Sequence, residues 1–328
     1  MDVLILGAAG MIGRKLTERL LKDGRIASRE ISRLTLHDVV APQAPAKAPF
    51  PVSAGASDFS MPGEAEKLIA SRPDMIFHLA AIVSGEAEAD LDKGYRINLD
   101  GTRFLLDAIK KIGDGYKPRV VFTSSIAVFG APFPDAIGDE FFETPLTSYG
   151  TQKAMGELML ADYSRRGILE GVGIRLPTIC VRPGKPNKAA SGFFSNIIRE
   201  PLNGEEAVLP VSEDVRHWHA SPRSAVGFLI RAAEIEIGAL NNRVNLSMPG
   251  LSVAVGEQIA ALERVAGANV VKRIRREPDP MIMRIVAGWP RNFDTSRAKS
   301  LGFTTAEQSF DDIVKLHIED ELGGSFAA

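Results

Sequence analysis

The chain opens on a short, uninterrupted apolar run at residues 3–6, then a glycine-rich turn, then apolar positions spaced for one helix face at 11–21. The rhythm repeats. Strand-like runs at 34–37, 75–78, 120–123 and 171–178 alternate with helical patterns at 64–70, 98–112 and 148–163. Short runs that are apolar at every position fit strands covered on both faces. Strands separated by helices need crossover connections, so the pattern predicts an α/β fold: a Rossmann doubly wound parallel sheet. Residues 41–51 interrupt this order with four prolines. Proline lacks a backbone donor and blocks a helix, so the stretch reads as a surface connection between the second and third strands. After about residue 180 the alternation loosens into a turn-rich segment at 183–187 and shorter elements, with helices expected near 252–266 and 305–318. The division expected is a large domain over 1–180, with crossings back from the C-terminal half, and a smaller C-terminal α/β lobe over 181–328.

Composition narrows the classes. With 45% hydrophobic residues among 328, a full core is within reach. Lys and Arg total 39 against 41 Asp and Glu, without a long basic run, so neither nucleic acid nor a membrane surface is an expected partner. The one cysteine, Cys180, excludes an intramolecular disulfide; inside an apolar strand it reads as inert packing. The N-terminus lacks the basic, apolar and small-residue pattern of a signal peptide. No apolar stretch reaches the ~18–20 residues of a membrane span. The expectation is a soluble cytoplasmic protein.

Candidate chemistry begins at the first turn. Gly7, Gly10 and Gly13 lie in Gly7-Ala8-Ala9-Gly10-Met11-Ile12-Gly13, between a predicted strand and a predicted helix. A tight glycine turn lets backbone N–H groups approach a pyrophosphate, and the helix start adds partial positive charge. The third glycine permits close helix–strand packing. Asp38 ends the second strand, where a carboxylate accepts from adenosine ribose hydroxyls and repels a 2′-phosphate. Val39 and Val40 follow it, with no adjacent cation to neutralise such a phosphate, which favours NAD over NADP.

Four motifs together resemble the extended short-chain dehydrogenase/reductase superfamily: residues 7–13, His78-Leu79-Ala80-Ala81, Asn98-Leu99-Asp100-Gly101-Thr102, and Tyr149-Gly150-Thr151-Gln152-Lys153. The resemblance spans roughly residues 1–310. Within that branch, Ile174-Arg175-Leu176-Pro177-Thr178 and Val181-Arg182-Pro183-Gly184-Lys185-Pro186-Asn187 look most like the D-erythronate dehydrogenase family, whose members oxidise the C2 hydroxyl of a four-carbon sugar acid with NAD. The resemblance implies further cofactor contacts at Met11, Ile12, Asp58, Phe59, Leu79, Ala80, Ala81, Asn98, Pro177 and Thr178. It makes 1–180 the NAD-binding domain and 181–328 mainly the substrate lobe. It also implies a homodimer built on the helix bearing Tyr149 and the long helix before it. His78 carries no expected chemistry.

Tyr149 and Lys153 are four apart on a predicted helix and share a face. A nearby ammonium is expected to lower the phenol from its usual ~10 toward working pH. Tyr149 is then the candidate base for the substrate hydroxyl, with Lys153 also reaching the nicotinamide ribose. In the family pattern the hydroxyl residue after the fifth strand aligns with Ser125, which would orient the reacting group. The residues after it, Ile126 and Ala127, cannot move a proton, which argues against the dehydratases of the superfamily. The family's tyrosine is Phe129 here. A carboxylate substrate needs a cation, ideally a guanidinium. Arg216, in Val215-Arg216-His217-Trp218-His219, is the first candidate and Arg182 the second. His217 and His219 can face one side of a strand, but with no cysteine or carboxylate nearby no metal is expected. The favoured reading is a sugar-acid dehydrogenase acting on a small molecule. A nucleotide-sugar epimerase with tightly held NAD and a non-catalytic dinucleotide-responsive protein are the alternatives.

Overall fold

The computed structural model describes residues 1–184 and 190–327; Lys185, Pro186 and Asn187 of the loop motif lie outside them. Six strands of the main sheet come first: β1 (Asp2–Leu6), β2 (Arg33–Asp38), β3 (Val52–Ala56), β4 (Met75–His78), β5 (Arg119–Ser125) and β6 (Glu170–Leu176). Of the shorter strands that follow, four bear on the site: β7 (Thr178–Ile179), β8 (Arg216–Ala220), β9 (Asn245–Ser247) and β10 (Leu251–Ala254). The main sheet has seven strands in the order β9-β6-β5-β4-β1-β2-β3, all parallel. The order reverses between β1 and β4, so loops leaving those two strands part and open a crevice at their C-terminal ends. The glycine turn follows β1 and Leu79–Ala81 follow β4 at that point.

The sheet is held by a continuous core. Ile5, Leu36, Ile76, Phe77 and Val121 are fully buried, all but Leu36 without measurable exposure. Each such side chain contributes about 1.5–3 kcal/mol of burial. Helices α1 (Met11–Asp23), α2 (Glu64–Ile69), α3 (Gly101–Ile112) and α4 (Ser148–Arg165) cover the faces. In the second half come α5 (Gly192–Leu202), α6 (Pro222–Glu234), α7 (Val255–Ala266), α8 (Pro280–Ala287) and, after one short turn of helix, α9 (Phe310–Glu321). A separate apolar cluster there joins Phe194, Ile197, Leu262 and Val314. β8 links this part to the first, pairing in parallel with β7 and antiparallel with β10.

The structure moves several expected boundaries. The strand expected over 171–178 breaks at Pro177, and its halves join different sheets. Proline has no N–H for a ladder, which accounts for the break. The helix expected from 252 starts at Val255, because Leu251–Ala254 pair with β8 first. The helix expected from 305 starts at Phe310, where Ser309 caps it by accepting from Asp312 N–H. The pattern read as helix from 98 begins earlier, as a wide π-turn over Tyr95–Asp100 that runs into α3.

Candidate active site

The glycine turn is built for close approach. Gly7 has φ +91°, and a Cβ there would sit 2.7 Å from Ala80 N. A Cβ on Gly13 would sit 2.2 Å from Gly7 O, so α1 lies against the turn at a distance only glycine permits. Gly10 precedes α1 with no side-chain cap, which leaves the N–H groups of the first helical turn, Met11 and Ile12 included, available to a ligand. Asp38 braces the turn by accepting from Ala9 N–H at 2.9 Å through Oδ2. Its other oxygen accepts from Val39 N–H. A cradle that a single Cβ would fill, with exposed N–H donors and a carboxylate at the end of β2, fits a dinucleotide.

The other expected cofactor residues fall around the same crevice. Asp58 accepts from Ser60 and from Arg96 Nη1 at 2.6 Å. Burial opposes its ionised form, but those partners outweigh it and hold the carboxyl below its ordinary range. Phe59 is buried edge-on to His78, with ring centroids 5.5 Å apart. Asn98 is buried and ties Ile82 N–H (2.9 Å) to Gln152 Oε1 (2.7 Å), joining the loop after β4 to α4. His78 bonds Thr102, whose hydroxyl donates to Asn98 O; burial pushes its pKa down to about 3, with Lys153 adding to the effect. It is a neutral wall residue.

Tyr149 and Lys153 lie on the first turns of α4, which Thr147 caps by accepting from Gly150 N–H. Two glycines let α4 press onto β5 and the turn after it: a Cβ on Gly150 would meet Ala127 O in that turn at 2.2 Å, and one on Gly156 would meet the Phe122 ring of β5 at 2.9 Å. Lys153 is buried, donates to Thr123 O at 2.7 Å, and lies 4.8 Å from the Phe122 ring centroid and 5.8 Å from that of Tyr149. Burial lowers its pKa to about 8, against the pull of Glu157. The phenol departs from expectation. Burial raises its pKa; a hydrogen bond from Ser125 and the charge of Arg182 oppose that, and Lys153 is not among the groups that do. The ammonium is turned toward Thr123 instead. Ser125 also accepts from Ala127 N–H at 3.1 Å, which holds its hydroxyl at the strand end.

The two candidate arginines part company. Arg216 is exposed at the start of β8, ion-paired to Glu257 at 3.0 Å and donating to Ser252 O. Arg182 is half-buried and interacts with Tyr149. It bonds Ile179 O and Ser191 Oγ and has no carboxylate partner among the described residues. Thr178 Oγ1 lies 2.7 Å from His217 Nε2, and Pro177 precedes it at the break between sheets. His217 and His219 do share a side, 5.3 Å apart, but each is committed elsewhere, and no group of three potential metal ligands occurs among the described residues. Phe129 is buried among Phe141 and Phe293 and over Arg175.

Sequence reasoning missed a buried polar set behind α4, the helix bearing Tyr149 and Lys153. Glu157 accepts from Ser124 Oγ and from Arg175 at 2.7 Å, and Arg175 also holds Glu143. The signal was present: Arg175 is a charge in an apolar strand, and Glu157 is one turn past Lys153 on the covered face of α4.

A parallel sheet with this strand order, a glycine turn at its switch point and a Tyr-Lys-Ser cluster define a nicotinamide-dinucleotide oxidoreductase. Residues 3–221 match the NAD dependent epimerase/dehydratase family, and the chain belongs to that family. It is 46% identical to D-erythronate dehydrogenase of Cupriavidus necator over 324 residues, 98% of each chain. It is 42% identical to D-erythronate dehydrogenase of Haemophilus influenzae, over 98% of this chain and 100% of that one. Among solved structures, the nucleoside-diphosphate-sugar epimerase from Agrobacterium tumefaciens superposes with TM-score 0.96 at 67% identity, over 99% of this chain and 95% of that one. Among the described residues no helix is long and apolar enough to cross a membrane.

Proposed function

We propose that this oxidoreductase oxidises the C2 hydroxyl of a small sugar acid, D-erythronate to 2-oxo-erythronate, with NAD. The observation that carries the reading is Arg182: a half-buried guanidinium just past the end of β7, bonded among the described residues only to Ile179 O and Ser191 Oγ, with no carboxylate partner there. A cation removed from water without a counter-ion is costly, and a substrate carboxylate would supply one. The names of the two near-full-length relatives support the same substrate. Asp38 supports NAD over its 2′-phosphorylated form, since a phosphate there would meet a carboxylate.

In this reading Gly7, Gly10, Gly13, Asp38 and Asp58 hold the dinucleotide, and Lys153 its nicotinamide ribose. When bound, the nicotinamide accepts the hydride from C2. Ser125 holds the substrate hydroxyl against Tyr149, and Tyr149 takes its proton, so that one C–H and one O–H bond give way to a C=O bond. Arg182 holds the carboxylate and favours the phenolate by its charge. Residues 1–180 carry the cofactor and 181–328 supply most of the substrate side. The exposed apolar residues Leu158 and Met155 on α4 support a homodimer through α3 and α4.

The test is NADH formation from a panel of aldonates and 2-hydroxy acids. Turnover of D-erythronate that Tyr149→Phe abolishes, with NAD binding kept, is the expected result; normal turnover by that variant overturns the assigned base. A second reading, a nucleotide-sugar epimerase, is favoured by the likeness to the Agrobacterium tumefaciens epimerase. It predicts conversion of UDP-sugars with no net NADH.

A further inference from the structure

Two segments far apart in sequence are stitched together beside the loop that leads into Tyr149. Ile137 N–H donates to Asn292 O at 3.0 Å, and Asp294 N–H donates to Ile137 O at 2.9 Å. Nearer Tyr149, Gly288 faces Leu146: a Cβ built on it would sit 3.5 Å from Leu146 Cδ1. Trp289 follows Gly288 directly, so the segment bearing the indole runs beside the loop entering α4.

The indole itself packs against β8 and α5, with Phe194 on α5 6.4 Å from its ring. The His217 ring lies 5.2 Å from Trp289, and its Nδ1 is 2.8 Å from Pro290 O. A carbonyl only accepts, so Nδ1 carries the proton and Nε2 accepts from the Thr178 hydroxyl. His217 is thereby fixed by two bonds, one to the segment bearing Trp289 and one to the strand bearing Thr178. Arg182 Nε donates to Ile179 O at 3.2 Å, one residue along β7 from the Thr178 that bonds His217, so the guanidinium and the His217–Trp289 pair flank the same short strand. Trp289 is only half-buried although His217 and Phe194 both pack near its ring. An indole is a large, stiff wall with few rotamers.

We propose that Trp289, locked by His217 and the Pro290 carbonyl, closes the end of the substrate pocket and sets the length of the acid it accepts. A four-carbon chain with its carboxylate on Arg182 fits; a six-carbon aldonate meets the indole. The inference rests on the sugar-acid reading above and goes beyond it by naming the residue that sets the size limit.

The test compares kcat/KM for D-erythronate and D-gluconate, with NAD, in the full-length wild type, Trp289→Phe and Trp289→Ala. Trp289→Ala is expected to raise the gluconate-to-erythronate ratio at least tenfold, by a higher KM for erythronate and a lower one for gluconate. Trp289→Phe is expected to raise it about threefold, with an unchanged melting curve and NAD affinity. If Trp289→Ala does not fold, the phenylalanine variant decides alone. A ratio within twofold of wild type in a folded variant overturns the inference and leaves the sugar-acid reading intact. A wild type inactive on every aldonate overturns that reading, and this inference with it.

Discussion

Lys153 donates its buried hydrogen bond to the main-chain carbonyl of Thr123, two residues before Ser125. One bond thus sets the spacing between the helix carrying the phenol and the strand end carrying the serine. It also turns the ammonium toward the strand, so that Ser125 and Arg182 are the groups that pull the Tyr149 pKa back down against burial in the protein alone.

Stability should show the cost of that ammonium. The folded Lys153 pKa is about 8, below the ~10.4 of an unfolded lysine. Between those values the unfolded chain holds a proton that the folded one lacks, so wild-type stability gains as pH rises through the window, and the full penalty applies below it. Lys153→Met is therefore expected to lose turnover at least 100-fold, yet to gain about 1–3 kcal/mol at pH 7. That advantage should shrink toward pH 10. Urea unfolding at pH 7 and pH 10 measures it; a variant less stable at both would refute the account.

The arginines can be separated by kinetics. Arg182→Gln is expected to raise the KM for D-erythronate roughly 10–100-fold, the worth of a charge-assisted pair, with NAD affinity unchanged. Arg182→Lys should recover part of it. Arg216→Gln should stay near wild type, since it loses an exposed pair worth about 0–1 kcal/mol. Reversed results would move the carboxylate to Arg216.

Two glycines make a matched pair of opposite sign. Gly13→Ala forces a Cβ onto Gly7 O and is expected to cost about 1–3 kcal/mol and to weaken dinucleotide binding. Gly227 lies inside α6 with nothing within 4 Å of a built Cβ. Gly227→Ala is expected to stabilise by about 0.5–1 kcal/mol without changing activity. Thermal melts with and without NAD test both.

Cys180 is buried, and burial pushes its thiol up to about 12, with Ser195 and nearby arginines opposing. Native protein should resist iodoacetamide at pH 8 and react once unfolded in urea. Rapid native labelling, followed by mass spectrometry, would contradict the packing described.

Much of this architecture is legible from residue order. Uniformly apolar runs such as Ile5 and its neighbours have one stable home, the middle of a parallel sheet, and the glycine turn follows from its place between β1 and α1. Tyr149 and Lys153 are read from helical spacing together with their place after the fifth strand and its serine-rich end. What depends on distant partners is not legible. Arg182 and Arg216 look alike in sequence; only the fold brings Glu257 to Arg216 and leaves Arg182 half-buried without a carboxylate partner among the described residues. The strand at Leu251–Ala254 wears a helical pattern because β8, its partner, decides its conformation. Trp289 gains a role only when His217, far earlier in the chain, meets its ring.

The return of β9 to the edge of the main sheet has a consequence for biogenesis. Its residues Asn245–Ser247 satisfy the outer backbone of Gly173–Arg175 on β6, yet they leave the ribosome long after β6 does. Until they arrive, the nascent sheet carries a bare flank able to pair with a neighbouring chain. Translation pauses between those two points would lengthen that exposure, and truncated products ending there should be found in the insoluble fraction.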